Sequence, residues 1–139
     1  MKNPLDNWRF LLGKWKGKAE NQFGEKGVVE TEFSCTQEPS DKFIMMKSES
    51  RNKGRLVNSG VGFFFYDGNV KKLKRKWFYS YGFVNNETEY FSSEKEIKFD
   101  VEVEPCPKEF EGLRWHSYIR KISEKRIALG LEVAKGSGD

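Results

Sequence analysis

One segment near the middle of the chain carries aromatic and basic side chains at every second position. Successive side chains of a β-strand alternate between its two sides, so a spacing of two predicts a single strand face. That face carries Leu73, Arg75, Trp77, Tyr79 and Tyr81. An arginine fork can bind a carboxylate through two hydrogen bonds, and aromatic rings can line an apolar chamber. If this face points inward, we expect Arg75, Trp77 and Tyr79 to bind a small ligand. If the interior is solid, the two rings fill a core instead.

A second segment has two faces of different character. One face carries Arg114, His116, Tyr118 and Arg120, and the opposite face carries Leu113, Trp115, Ser117 and Ile119. A polar face that points inward needs hydrogen-bond partners or a ligand. A polar face that points outward is an ordinary solvated surface. The sequence of one strand does not orient it, so Arg114, His116 and Tyr118 are candidate ligand-binding residues with both orientations open.

The sequence has few residues that indicate a catalytic site, a metal site or a cofactor-binding site. The sequence contains no GxSxG nucleophile elbow, no phosphate loop and no dinucleotide fingerprint. His116 is the only histidine. With two distant cysteines it does not supply the three or four ligands of a zinc site. It could serve as an axial haem ligand, although a lone histidine is more often a surface or structural residue. Glu132 could be a general acid or base, but its neighbours do not distinguish it from a surface carboxylate. We therefore predict no catalytic residue, no metal and no resident cofactor.

Lysine and arginine occupy five of the six positions from 71 to 76. Such a run can bind nucleic acid. On a strand, however, lysines 72, 74 and 76 share one face, which is the pattern of a solvated outer surface. The net charge of +4, from 25 basic and 21 acidic residues, is mild. The sequence therefore favours no nucleic-acid partner.

The elements that must position these residues are strands. The 139 residues suit one domain, and an aromatic content of 15% argues against disorder. Residues 4–12 predict a short helix that ends at Gly13. Alternating or apolar segments predict strands at residues 14–19, 29–35, 43–49, 56–66, 73–81, 87–91, 97–103, 113–122 and 126–133. Short turns between sequential strands favour an up-and-down antiparallel β-barrel of about eight to ten strands over residues 1–139. Such a barrel has room for one small ligand.

Several segments resemble the calycin family of lipocalin-like barrels. They are residues 8–17 (WRFLLGKWKG), 29–33, 42–43, 62–67 and 81–85. Calycins begin with a short helix followed by a Gly-x-Trp strand, here with Trp15, whose tryptophan plugs one barrel end. The chain is most similar to small bacterial and archaeal calycin-like proteins of unknown function, which are distantly similar to fatty-acid-binding proteins and nitrobindin. The resemblance implies a barrel and no particular reaction.

The resemblance also implies a final strand that this chain lacks, since the sequence stops at residues 136–139 (GSGD). An uncovered edge invites strand pairing, so we expect either a seam in the barrel or a homodimer. With no apolar run of 18 residues and no apolar signal core, we expect a cytoplasmic protein that has no membrane partner. In that compartment Cys35 and Cys106 are expected to be unbridged and partly buried.

The leading functional hypothesis is a non-enzymatic carrier or sensor of a small, partly apolar molecule, with an organic or fatty acid as one candidate. A second hypothesis is an enzyme of isomerase or decarboxylase type in the same cavity. Haem binding as in nitrobindin and a filled barrel with a structural or interaction role are further alternatives. The volume of the interior separates the filled barrel from the others.

Overall fold

The computed structural model describes residues 3–21, 27–106, 108, 111–112 and 114–134. One 3-10 helix, Pro4–Leu11, precedes nine strands. The strands are β1 (Gly13–Asn21), β2 (Gly27–Thr36), β3 (Phe43–Asn52), β4 (Arg55–Asp67), β5 (Lys72–Tyr79), β6 (Val84–Ser92), β7 (Glu96–Glu104), β8 (Arg114–Ser123) and β9 (Arg126–Ala134). The all-β fold and the short N-terminal helix are as the sequence predicts.

The nine strands form one antiparallel sheet in which each strand pairs with the next along the chain. The sheet curls into a half-barrel with a concave and a convex face. In the described part of the chain, no backbone pairing joins β1 to β9. The predicted up-and-down order is therefore confirmed, but the described strands do not close the circle that a complete barrel requires.

The N-terminal helix closes one end of the half-barrel. Its buried residues Leu5, Trp8 and Leu11 are spaced by three, and a helix with three residues per turn places such residues on one line. The Asn3 side chain accepts a hydrogen bond of 2.9 Å from the Leu5 backbone and caps the first turn. Arg9 then fixes the helix to the turn after β2, because its guanidinium donates to the Asp41 carbonyl at 2.7 Å.

The floor of the concave face is apolar and packs against this helix. Its fully buried side chains are Ile44, Met46, Phe64, Leu73, Ile97, Phe99 and Ile119. The Phe64 ring lies 6.4 Å from Trp8 and 5.8 Å from Phe99, measured between centroids. The Trp15 indole on β1 packs against the same core and donates a hydrogen bond of 2.8 Å to the Leu11 carbonyl. Aromatic burial thus joins the helix to the sheet.

No helix within the described ranges is long and apolar enough to cross a membrane.

Candidate functional site

Away from the helix, the concave face forms an open cavity of about 490 Å³. Its polar lining includes Thr31, Ser48, Ser50, Asn58 and Asn85. Its apolar lining includes Val29, Phe33, Trp77, Tyr79 and Leu131. The cavity lining therefore combines apolar and aromatic side chains with hydroxyl and amide groups.

A buried ion pair lies in the wall of this cavity. The register of β5 with β6 places Arg75 opposite Glu87. Arg75 Nη2 donates to Glu87 Oε1 at 2.8 Å, and Nε donates to Oε2 at 3.3 Å. The exposed fractions are 6% for Arg75 and 3% for Glu87. Two parallel hydrogen bonds to one carboxylate give the pair its fixed orientation.

Ser117 on β8 completes a three-residue cluster. Its hydroxyl donates a hydrogen bond to Glu87 Oε1, and it accepts one of 3.4 Å from Arg75 Nη2. The guanidinium carbon of Arg75 also lies 4.9 Å from the Phe99 ring centroid and 5.6 Å from that of Trp77. A buried charge pair offsets its loss of hydration only with such additional partners.

Two aromatic rings continue the wall beyond Arg75. The Trp77 and Tyr79 centroids are 5.7 Å apart, with 19° between the ring planes. Each ring lies against a glycine of β4, because a Cβ atom would be 2.7 Å from Trp77 at Gly62 and 3.0 Å from Tyr79 at Gly60. Because Gly60 and Gly62 have no side chains, β4 leaves space for the Trp77 and Tyr79 rings of β5.

Burial raises the pKa values of two titratable groups in this region. Desolvation raises the pKa of Tyr79, the negative charge of Glu87 raises it further, and Arg75 opposes both. Burial raises the pKa of the Cys35 thiol to about 12, again opposed by Arg75. Only a thiolate is an effective nucleophile, so the Cys35 thiol is unreactive at neutral pH. Its role is to pack in the core. Cys35 and Cys106 are not joined by a disulfide, as expected, although Cys106 lies on the surface.

The first predicted group of residues lies on the concave face. Arg75 and Trp77 are buried in the cavity wall, and Tyr79 is half-buried beside them. The Tyr81 hydroxyl, just after β5, donates to the Val57 carbonyl at 2.8 Å. The sequence left the orientation of this face open, and the structure points it toward the cavity.

The second predicted group lies on the convex face. Trp115, Ser117 and Ile119 are the buried residues of β8, so the alternating Arg114, His116 and Tyr118 point the other way. The strand takes this orientation because it buries two large apolar side chains. Leu113, which the sequence placed on the same strand face as Trp115, lies outside the described residues.

Their local contacts fit an outer surface. His116 Nε2 is 3.2 Å from Asp100 Oδ1, so the chain's single histidine does not face the cavity. The Tyr118 ring covers Gly130 on β9. Although its side chain alternates with the buried residues of β8, Tyr118 is also one of the residues that line the cavity. Arg114 is exposed.

Sequence reasoning missed Glu87, Ser117 and Asn85. The sequence did contain an indication that Glu87 is buried. In residues 84–89 (VNNETE) both faces of the strand carry polar side chains. A strand with neighbours on both sides must then bury at least one polar group. The side chain of Glu132, the carboxylate considered instead, lies outside the described residues. Among those that are described, no three His, Cys, Asp or Glu side chains form a group that could hold a metal ion.

Comparison with family models and with curated sequences gives no relative from which to infer a function. No protein-family model matches the chain, and no curated protein sequence matches it significantly. A functional proposal for this chain therefore depends on the cavity and its lining residues.

Proposed function

We propose that the protein binds a small, partly apolar organic molecule in the concave cavity and serves as a carrier or sensor of that molecule. The observation that carries this proposal is the cavity of about 490 Å³. Known ligand pockets have about 300–1,000 Å³ and combine apolar walls with a few placed polar groups. A purely structural domain has no need of such a space, because protein interiors are otherwise close-packed.

The composition of the wall supports a ligand of mixed polarity. Phe33, Trp77 and Tyr79 offer apolar surface, while Ser48 and Asn58 offer hydrogen-bonding groups. The apolar floor beside the helix is already packed. A ligand would therefore occupy the half of the concave face away from that helix.

We also propose that the protein is related to calycin-like binding barrels. The up-and-down order of the nine strands and the contact of Trp15 with the N-terminal helix support this relationship. In such a barrel β1 and β9 would approach each other around the ligand, or a second copy would cover the gap. Haem is a weaker candidate ligand, because His116 lies on the convex face.

A cavity-filling variant tests the proposal. The probe is N-phenyl-1-naphthylamine, an uncharged dye whose fluorescence increases on transfer from water to an apolar site. Ser48 lies on the concave side of β3 and lines the cavity, so Ser48→Phe would fill part of it. Ser34→Phe is the matched control, since Ser34 is on the convex side of β2, where the buried residues alternate with it.

We expect the wild-type protein and Ser34→Phe to bind the dye alike. Ser48→Phe should weaken binding by about tenfold or more, equivalent to about 1.4 kcal/mol. Circular dichroism would establish that both variants fold. Absence of dye binding to the wild-type protein, or equal binding by both variants, would overturn the proposal. Native mass spectrometry of the purified protein would identify a co-purified ligand.

A further inference from the structure

We infer that the cavity selects an uncharged ligand that presents a hydrogen-bond acceptor to Arg75. This inference rests on the proposed function and departs from the organic or fatty acid that the sequence analysis gave as one candidate ligand. It depends on how the charges of the cavity wall are balanced. In the described part of the chain, the charged residues that line the cavity are Arg75, Glu87 and Lys18.

Arg75 and Glu87 already neutralise each other. Both hydrogen bonds between them are formed, and both side chains are more than nine-tenths buried. A ligand carboxylate beside Arg75 would therefore also lie beside the Glu87 carboxylate. Like charges repel strongly beside a carboxylate as buried as that of Glu87, and displacing Glu87 from Arg75 would leave a buried charge without a partner. A cationic ligand would compete with Arg75 for Glu87 in the same way.

Lys18 does not alter this balance. It is one of the residues that line the cavity, but its side chain is exposed to solvent. Water and salt screen a charge in such a position. Lys18 therefore cannot neutralise an anion bound near Arg75.

The arginine still has donors to offer. Its hydrogen bonds to Glu87 and Ser117 use Nε and Nη2, and no described residue accepts a hydrogen bond from Nη1. No buried side-chain nitrogen or oxygen in the described chain lacks a partner, which indicates that Nη1 is accessible from the cavity. A carbonyl or ether oxygen of a neutral ligand can accept from it without adding charge.

The remaining polar groups of the wall are also neutral. The Thr31 and Ser50 hydroxyls hydrogen-bond each other at 2.9 Å across β2 and β3. The Asn85 amide lines the opposite side, on β6. Such neutral groups favour a ligand by the positions of its hydrogen-bonding atoms and not by its charge. The cavity is therefore suited to neutral, partly apolar carbonyl or ether compounds.

Two dyes that differ by one charge test the inference. N-phenyl-1-naphthylamine is neutral, and 8-anilinonaphthalene-1-sulfonate has the same ring skeleton with an added sulfonate. The measured quantity is the ratio of their affinities for each variant. Glu87→Gln leaves Arg75 without its counter-charge, and Arg75→Gln does the same to Glu87. Glu102→Gln on β7 is the matched control, because it removes one exposed carboxylate from the neighbouring strand.

We expect the wild-type protein to prefer the neutral dye by about tenfold or more. Glu87→Gln should reduce this preference by about tenfold, Arg75→Gln should increase it, and Glu102→Gln should leave it unchanged. Equal or tighter wild-type binding of the sulfonate would overturn the inference, and so would the same ratio for Glu87→Gln and Glu102→Gln. The wild-type ratio decides the question even if a cavity variant fails to fold. If neither dye binds the wild-type protein, the proposed function itself fails.

Discussion

The ion pair of Arg75 and Glu87 affects both the stability of the fold and the geometry of the cavity wall. Each residue carries the counter-charge of the other, and both side chains are more than nine-tenths buried. The electrostatic attraction and the hydrogen bonds offset the loss of hydration only while both members are present. The same arrangement holds the Arg75 guanidinium against the Phe99 ring. Arg75 is also one of the residues that line the cavity.

Removing one member of the pair should destabilise the protein strongly. Glu87→Ala leaves a buried guanidinium unpaired, so we expect a loss of about 3–5 kcal/mol in the free energy of unfolding. Replacing both residues, as in Arg75→Met with Glu87→Leu, should recover most of that loss. Urea denaturation at pH 7 measures each value.

The control for this prediction is the surface pair of Lys16 and Glu32. Its atoms are 3.7 Å apart, and the side chains are 79% and 67% exposed. Exposed pairs contribute about 0–1 kcal/mol, so Glu32→Ala should have little effect. A loss for Glu87→Ala no larger than that for Glu32→Ala would contradict the role of the buried pair.

At the scale of elements, β4 and β5 form the part of the sheet that shapes the cavity wall. Gly62 pairs with Trp77, and Gly60 pairs with Tyr79. Each large ring is thus next to a residue that has no side chain. The alternation of glycine on one strand with an aromatic residue on the next lets two rings fit where ordinary side chains would collide.

Gly62→Ala should therefore destabilise the protein. Its Cβ would lie 2.7 Å from the buried Trp77 ring, and crowding of a packed core costs about 1–3 kcal/mol. Gly17→Ala on β1 is the control, because no atom lies within 4 Å of its added Cβ. Thermal and urea unfolding would compare the two variants. Equal stability of the two would show that Trp77 can move aside without cost.

At the scale of the whole molecule, the sheet has nine strands in sequence order and two end strands, β1 and β9. Each end strand has one described hydrogen-bonded neighbour, whereas the strands between them have two. The helix supports β1 through the bond from Trp15 to Leu11. Local stability is therefore expected to decrease from the middle of the sheet toward its ends.

Amide hydrogen exchange should show this gradient. We expect slow exchange in β4, β5 and β6, and faster exchange in β1 and β9, because opening an end strand breaks fewer contacts. Mass spectrometry of peptides after timed exchange in deuterated buffer would measure it. Protection of both end strands equal to that of β5 would instead indicate that they pair with each other or with a second chain.

The sequence by itself determined the local features of this protein. Alternating side chains in residues 97–103 predicted β7, which spans Glu96–Glu104. The segments 56–66 and 73–81 predicted β4 and β5, with a short turn between them. The face of Arg75, Trp77 and Tyr79 was also recognisable. These features depend on neighbours in the chain, and period-two patterns express them directly.

The tertiary structure alone decided which residues meet. The pairing of Arg75 with Glu87 depends on the register between β5 and β6, and the contact of both with Ser117 depends on curling of the whole sheet. The outward orientation of His116 was settled by burial of Trp115 and Ile119 on the other face of β8. One strand's sequence has two equivalent faces, and only the packing of many strands distinguishes inside from outside.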